Sequence, residues 1–283
     1  MKIIAFVDGS NYSQSVCDYA VWAAQGLPAD VELFHILGRR SRTAEPADLS
    51  GNLRFGERTD LLDQLSKADE QWMQLAQARG RAVLDDAVAR ITQKTDQSVT
   101  MRLRHDDFVA TLIDYEKDAE MVIVGKRGEA SGFAREHLGS NLERALRSAE
   151  KPVLVASFEY KPIDTCLIAY DGGKSIGKSL DFICASPLFK GVKFHLLLVS
   201  RGDAAAEAKV QAAKSRLKGA DIDAEVIIRD GHAEHVIHDV SLEIGANLLI
   251  MGAYGHSRVR NFIIGSTTTA VVRACRMPLL MFR

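Results

Sequence analysis

The stretch Leu248-Leu249-Ile250-Met251-Gly252-Ala253-Tyr254-Gly255 decides the fold, because the chain carries it twice. Met121-Val122-Ile123-Val124-Gly125-Lys126-Arg127-Gly128 has the same form 127 positions earlier. In each, an unbroken apolar run ends in one glycine and a second glycine follows three residues on. A run of four large apolar residues without alternation fits a strand covered on both faces, since a strand with one wet face alternates.

Working outward, Gly139-Ser140 matches Gly265-Ser266, and Pro152-Val153-Leu154-Val155 matches Pro278-Leu279-Leu280-Met281, both 126 positions apart. Upstream, Ile3 to Val7 runs into Asp8-Gly9-Ser10, and Leu167 to Tyr170 runs into Asp171-Gly172-Gly173, 163 positions apart. Four anchors in one order make an internal duplication. The fall in offset from 163 to 127 makes the first copy 36 residues longer between its first strand and its glycine strand, which places an insertion at about 39–74.

Short apolar runs alternate with helical patterns in both copies. The runs predict strands at about 3–7, 31–37, 99–103, 120–124 and 152–156, then at about 165–170, 192–199, 224–229, 247–252 and 278–282. The expected class is α/β: two Rossmann-like domains, 1–157 and 163–283, each an open, mostly parallel five-stranded sheet with helices on both faces. Ser157 to Pro162 reads as the linker. The apolar last strands, 152–156 and 278–282, are the expected seam of an internal pseudo-dimer, with a homodimer of two chains left open.

Composition narrows the function. Lys and Arg total 36 against 37 Asp and Glu, a net charge of −1, so no general basic field exists to hold nucleic acid or an anionic membrane. Ile3 to Val7 is too short for a signal sequence, and no later apolar run reaches the ~18 residues of a membrane span. A cytoplasmic protein is the expectation. Four cysteines without a CxxC pair suggest buried thiols.

The glycines sit where open parallel sheets bind ligands, beyond the strand C-termini near the switch in strand order. In copy two, Gly252 and Gly255 end a strand, nine residues follow, and Gly265-Ser266-Thr267 opens a helix. Glycines let backbone N–H groups approach an anion, and a helix start adds unpaired N–H groups, a favourable dipole and hydroxyls. Asp171 at the first strand tip can accept from a ribose or base.

This pattern, G-x2-G-x9-G-S/T, resembles that of the ATP-binding members of the universal stress protein family, in its tandem form, over nearly the whole chain. The resemblance implies an ATP or other adenine-nucleotide site, with or without Mg²⁺. Gly252, Gly255, Gly265, Ser266 and Thr267 would hold phosphates, Asp171 would lie near the nucleoside and Val199 would line the adenine pocket. It also implies a stress-response regulatory role through protein partners or slow ATP turnover. In copy one, Asp8, Gly125, Gly128, Gly139 and Ser140 are the counterparts, but ten residues separate the glycine pairs rather than nine. Lys126 and Arg127 could offset that spacing with charge.

Rival motifs remain. Gly172-Gly173-Lys174-Ser175-Ile176-Gly177-Lys178-Ser179 satisfies G-x4-G-K-S between a strand and a helix, so a P-loop NTPase or phosphotransferase using Lys178 and Ser179 is the enzymatic alternative. A scaffold that binds no nucleotide is the other. His232, His235 and His238 recur every third residue with Glu234 and Asp239 nearby; one helix face cannot present all three equally, so a partly exposed helix start after Gly231 is the expectation, with two histidines and a carboxylate sharing a metal as the alternative. His105-Asp106-Asp107 reads as a helix start with a capping aspartate. The insertion reads as a polar, locally basic loop followed by a helix. Leu61, Leu65, Ala68, Trp72, Leu75, Arg79, Val83, Ala87 and Ile91 make a stripe along that helix, to pack on its own sheet or to act as a lid or partner-docking element.

Overall fold

A computed structural model describes residues 1–37, 55–127, 140–253 and 266–283. Among them, ten strands form one sheet in the order β3-β2-β1-β4-β5-β10-β9-β6-β7-β8. The first half comprises β1 (Lys2–Phe6), α1 (Ser13–Gly26), β2 (Asp30–Ile36), α2 (Phe55–Thr92), β3 (Val99–Arg104), α3 (Phe108–Glu116), β4 (Met121–Gly125), α4 (Ser140–Ser148) and β5 (Val153–Ala156). The second comprises β6 (Thr165–Ala169), α5 (Lys174–Ala185), β7 (Lys193–Val199), α6 (Ala204–Lys218), β8 (Ala224–Arg229), α7 (Ala233–Glu243), β9 (Leu248–Gly252), α8 (Ser266–Ala274) and β10 (Leu279–Phe282). Each half is a Rossmann-like parallel sheet with the same strand order, outward from a switch between β1 and β4 or between β6 and β9.

The central strands β4, β5, β9 and β10 are buried on both faces, which explains their unbroken apolar runs, while the edge strand β3 is largely exposed. Ile3 and Ala5 of β1 face a core shared with Tyr19 of α1 and Leu84 and Ile91 of α2, while Ile4 and Phe6 face Leu112 of α3 and Leu146 of α4. In the second half, α5 and α6 cover the first face and α7 and α8 the second. Each fully buried Ile, Leu or Phe contributes about 1.5–3 kcal/mol relative to exposure.

The halves meet where the expected seam lies. β5 and β10 pair antiparallel, Leu279 with Val155, Leu280 with Leu154 and Met281 with Val153. Leu154 and Leu280 are repeat equivalents, so a local twofold passes between them and joins two parallel sheets into one. A second contact sets Trp22 of α1 edge-on to Phe189, ring centroids 6.3 Å apart.

One expectation needs correcting. The stripe on the long helix does not pack along its whole length. From Gly80 onward α2 lies on the sheet, with Leu84, Ala87 and Ile91 buried, but Leu65, Trp72 and Leu75 are 54, 57 and 61% exposed. The cause is length: a helix of 38 residues spans about 57 Å, whereas the seven-residue strand β2 before it spans about 23 Å. Residues 39–54 of the insertion lie outside the described residues.

Candidate functional site

The strand tips at the switch points organise both halves alike. β1 pairs β4 with Ala5 level with Ile123, and β6 pairs β9 with Ala169 level with Met251. Continued by two residues and one, these registers bring Val7 level with Gly125 and Tyr170 level with Gly252. Asp8 and Asp171 therefore each stand one residue beyond the glycine level.

Both first loops turn through a left-handed glycine, Gly9 at φ +78° and Gly172 at φ +72°, a conformation that a side chain disfavours. The aspartate then closes the turn. Asp8 Oδ1 accepts from Ser10 N at 2.9 Å, and Asp171 Oδ1 accepts from Gly173 N at 2.8 Å. Copy one has a further brace: Ser13 Oγ accepts from the Asp8 and Gly9 amides at 3.2 and 3.0 Å and lies 3.3 Å from Asp8 Oδ1. The carboxylates are thus held in place before any ligand arrives.

Gly125 and Gly252 close β4 and β9. A Cβ on Gly252 would lie 3.0 Å from Ser175 Cβ and 3.4 Å from Ile176 N, and one on Gly125 would lie 2.9 Å from Tyr12 Cβ. These glycines therefore have a packing duty, letting the start of α5 or α1 dock beside the strand tip. Ser175 and Tyr12 are repeat equivalents, a pairing that the sequence does not advertise.

Gly128, Gly139, Gly255 and Gly265 lie outside the described residues, and so do the side chains of Ser140, Ser266 and Thr267. The backbones of Ser140 and Ser266 begin α4 and α8. Each helix follows a parallel strand and precedes another, so its first turn, with unpaired N–H groups, opens at the strand C-terminal edge. Val199 ends β7, half-buried, level with Arg229 of β8.

Lys126 is not available to a phosphate. Its Nζ donates to the Arg273 carbonyl at 2.9 Å and to that of Cys275, both at the end of α8 in the other half. Burial depresses its pKa. Its acceptors are backbone atoms nearly 150 residues away, so no local pattern could have revealed them.

The P-loop reading does not fit the backbone. α5 already begins at Lys174, and Gly177 N donates to Gly173 O at 3.1 Å, a helical bond that occupies the amide a phosphate would need. Ser179 is fully buried, its Oγ donating to Ile176 O at 2.7 Å, so it cannot reach a metal at the strand tips. The motif is a coincidence of spacing within a helix.

The histidine series straddles the start of α7: His232 is its N-cap residue, and its ring centroid lies 6.1 Å from that of His235. Among the described residues, no three metal-ligating side chains converge. Asp107 caps α3 as its sequence suggests, accepting from Val109 N at 2.9 Å and Ala110 N at 3.1 Å. It also takes both guanidinium arms of Arg144 at 2.9 Å, and chiefly for that reason its carboxyl titrates below the ordinary range. No described helix is long and apolar enough to cross a membrane.

Comparison with known proteins agrees with this architecture. The model of the Universal stress protein family matches twice, over residues 1–157 and 164–283. Universal stress protein Slr1230 of Synechocystis sp. is 35% identical over 285 residues, covering all of this chain and 99% of that protein. Among solved structures, a universal stress protein from Archaeoglobus fulgidus superposes with a TM-score of 0.73 at 21% identity, covering 100% of this chain and 98% of its own. Another, described as a putative universal stress protein from Pseudomonas aeruginosa, gives 0.61 at 15% identity over 99% and 92%. Two family matches in tandem, with a relative similar from end to end, lead to one conclusion: the chain belongs to the universal stress protein family.

Proposed function

We propose that the chain binds an adenine nucleotide, ATP in the first instance, at the strand edge of its second unit (163–283), and serves as a cytoplasmic stress-response regulator. The observation that carries this reading is the meeting at one edge of three features: the braced Asp171, the strand end at Gly252 and the start of α8 at Ser266. Their spacing is that of the family's phosphate-binding glycine pattern.

The fit is chemical. The first-turn amides of α8 favour an anion, with backbone N–H groups of Gly255, Gly265, Ser266 and Thr267 as phosphate donors. Asp171 accepts from the nucleoside, and Val199 supplies an apolar wall. A Mg²⁺ ion, when bound, would neutralise phosphate charge. The first unit (1–157) offers Asp8, Gly125, Gly128, Gly139 and Ser140 as a weaker counterpart, without the help of Lys126.

ATP turnover is at most slow on this reading. Asp171 Oδ1 is engaged by the Gly173 amide, which suits a carboxylate that orients a ligand better than one that takes a proton. Mass spectrometry of small molecules released from freshly purified, denatured chain tests the proposal, together with ATP titration of Gly265→Val. Nucleotide in near-stoichiometric amount, and its loss in the variant, are expected. No nucleotide from the native chain and no measurable ATP binding would overturn it in favour of a scaffold.

A further inference from the structure

The first loops of the two halves differ in what packs on them. A Cβ on Gly9 would lie 3.0 Å from Val83 Cγ2 of α2, and one on Gly172 would lie 3.3 Å from Lys209 Cδ of α6. Both glycines are left-handed, follow the aspartate at the strand tip and meet the helix after the second strand of their half, so Lys209 stands where the first copy has Val83. The residue before each aspartate differs in the same sense. Val7 is buried, whereas its repeat equivalent, Tyr170, is half-buried.

Tyr170 fixes the position of that lysine. Its Oη donates to the Lys209 carbonyl at 3.3 Å, tying this turn of α6 to the end of β6, and its ring comes within 3.9 Å of the point that a Gly172 Cβ would occupy. The stem of Lys209 crosses the same loop from the other element. Lys209 is exposed, and its ammonium, two bonds past Cδ, stays within about 6 Å of that point.

We propose that Lys209 is a binding residue for the nucleoside end of the ligand of the second unit, donating from its ammonium to a ribose oxygen or a ring nitrogen of the base beside Asp171; the inference rests on the nucleotide reading above. The sheet order decides which end of the ligand it meets. From the start of α8 the strands run β9, β6, β7, and Lys209 belongs to the helix after β7, on the opposite face of the sheet from α8. Two strand spacings, about 10 Å, separate the phosphate end from this side of the edge. An ionised aspartate only accepts hydrogen bonds and an ammonium only donates them. Side by side they suit a group that does both, as the amino group and ring nitrogens of adenine or a ribose hydroxyl do. The first unit has the apolar Val83 in place of that donor, so the second unit holds its nucleotide more tightly.

Titration of the native chain and of Lys209→Met with ATP, and with adenosine in competition against ATP, tests the proposal. Methionine keeps the stem over Gly172 and removes the donor, at an exposed helix position where circular dichroism verifies folding. Both ligands should bind the variant about tenfold more weakly or worse, and by the same factor. Unchanged ATP affinity in Lys209→Met, or a loss for ATP without one for adenosine, would overturn the assignment and leave the nucleotide reading standing. A native chain that binds neither ligand would overturn that reading and the assignment with it.

Discussion

Lys126 reaches from the glycine loop of one half to the end of α8 in the other, placing its ammonium 2.9 Å from the Arg273 carbonyl. The twofold contact is made by a different residue: Arg283 Nη1 donates to the Ser148 carbonyl, 3.3 Å away at the end of α4. Each half thus caps the last helix of the other with a cation, where the helix dipole favours positive charge.

Removing the Lys126 cap should cost stability in the whole chain. Lys126→Met keeps the aliphatic stem but leaves two carbonyls without their donor, a loss of about 1–3 kcal/mol. Chemical denaturation should show a lower midpoint with a single transition. An unchanged midpoint would mean that the cap does not hold the halves together.

Much of the fold was legible because its signals are local. Short apolar-rich runs located every strand to within two residues, and the duplication supplied the topology of one half from the other. The β5–β10 seam was readable because Leu154 and Leu280 stand at equivalent positions in apolar last strands. The candidate site was legible only as a spacing, Asp171 and Gly252 to Ser266, and not as contacts. Ser175 beside Gly252, and Lys126 on α8, are tertiary facts that follow from where helices dock. The stripe of α2 left two readings open for a similar reason: periodicity marks an apolar face without saying how far the sheet beneath it extends, and only the part from Gly80 onward packs on that sheet.

A buried carboxylate gives the chain an acid limit. Asp18 on α1 accepts from Arg90 Nη2 at 2.7 Å and Lys94 Nζ at 2.6 Å, tying α1 to the end of α2. Burial alone would raise its pKa, but the two cations outweigh that and hold it below its ordinary value. A depressed folded pKa means stability present above the unfolded pKa of about 3.9 and lost as pH falls through the folded one. Asp18→Asn should lower stability by about 1–3 kcal/mol at neutral pH and flatten the fall below pH ~4. Denaturation curves at several pH values check both.

Glu116 has the opposite sign. It is buried at the end of α3 and accepts from Glu150 N at 3.0 Å and Lys151 N at 3.1 Å, yet burial outweighs those bonds and raises its pKa. A raised folded pKa makes the ionised form a burden that grows as pH rises above the unfolded value of about 4.3. Glu116→Gln, which keeps one acceptor and removes the charge, should therefore gain on the native chain as pH rises from 4 to 7. A stability difference independent of pH would contradict this account.

Substitutions at the glycines must be read with their packing in mind. Gly252→Ala adds a Cβ 3.0 Å from Ser175 Cβ, so the start of α5 must move, at a cost of about 1–3 kcal/mol. Ser175→Gly removes the atom it meets, so the double variant should recover most of that stability. ATP binding lost in Gly252→Ala and regained in the double variant would trace the loss to displacement of α5. Binding lost in both would mark Gly252 as a place where ligand approaches backbone. Lys178→Ala completes the set: Lys178 lies in the second turn of α5, after an amide already bonded within the helix, so ATP affinity should stay within about twofold, and a larger loss would revive a phosphate role for that helix.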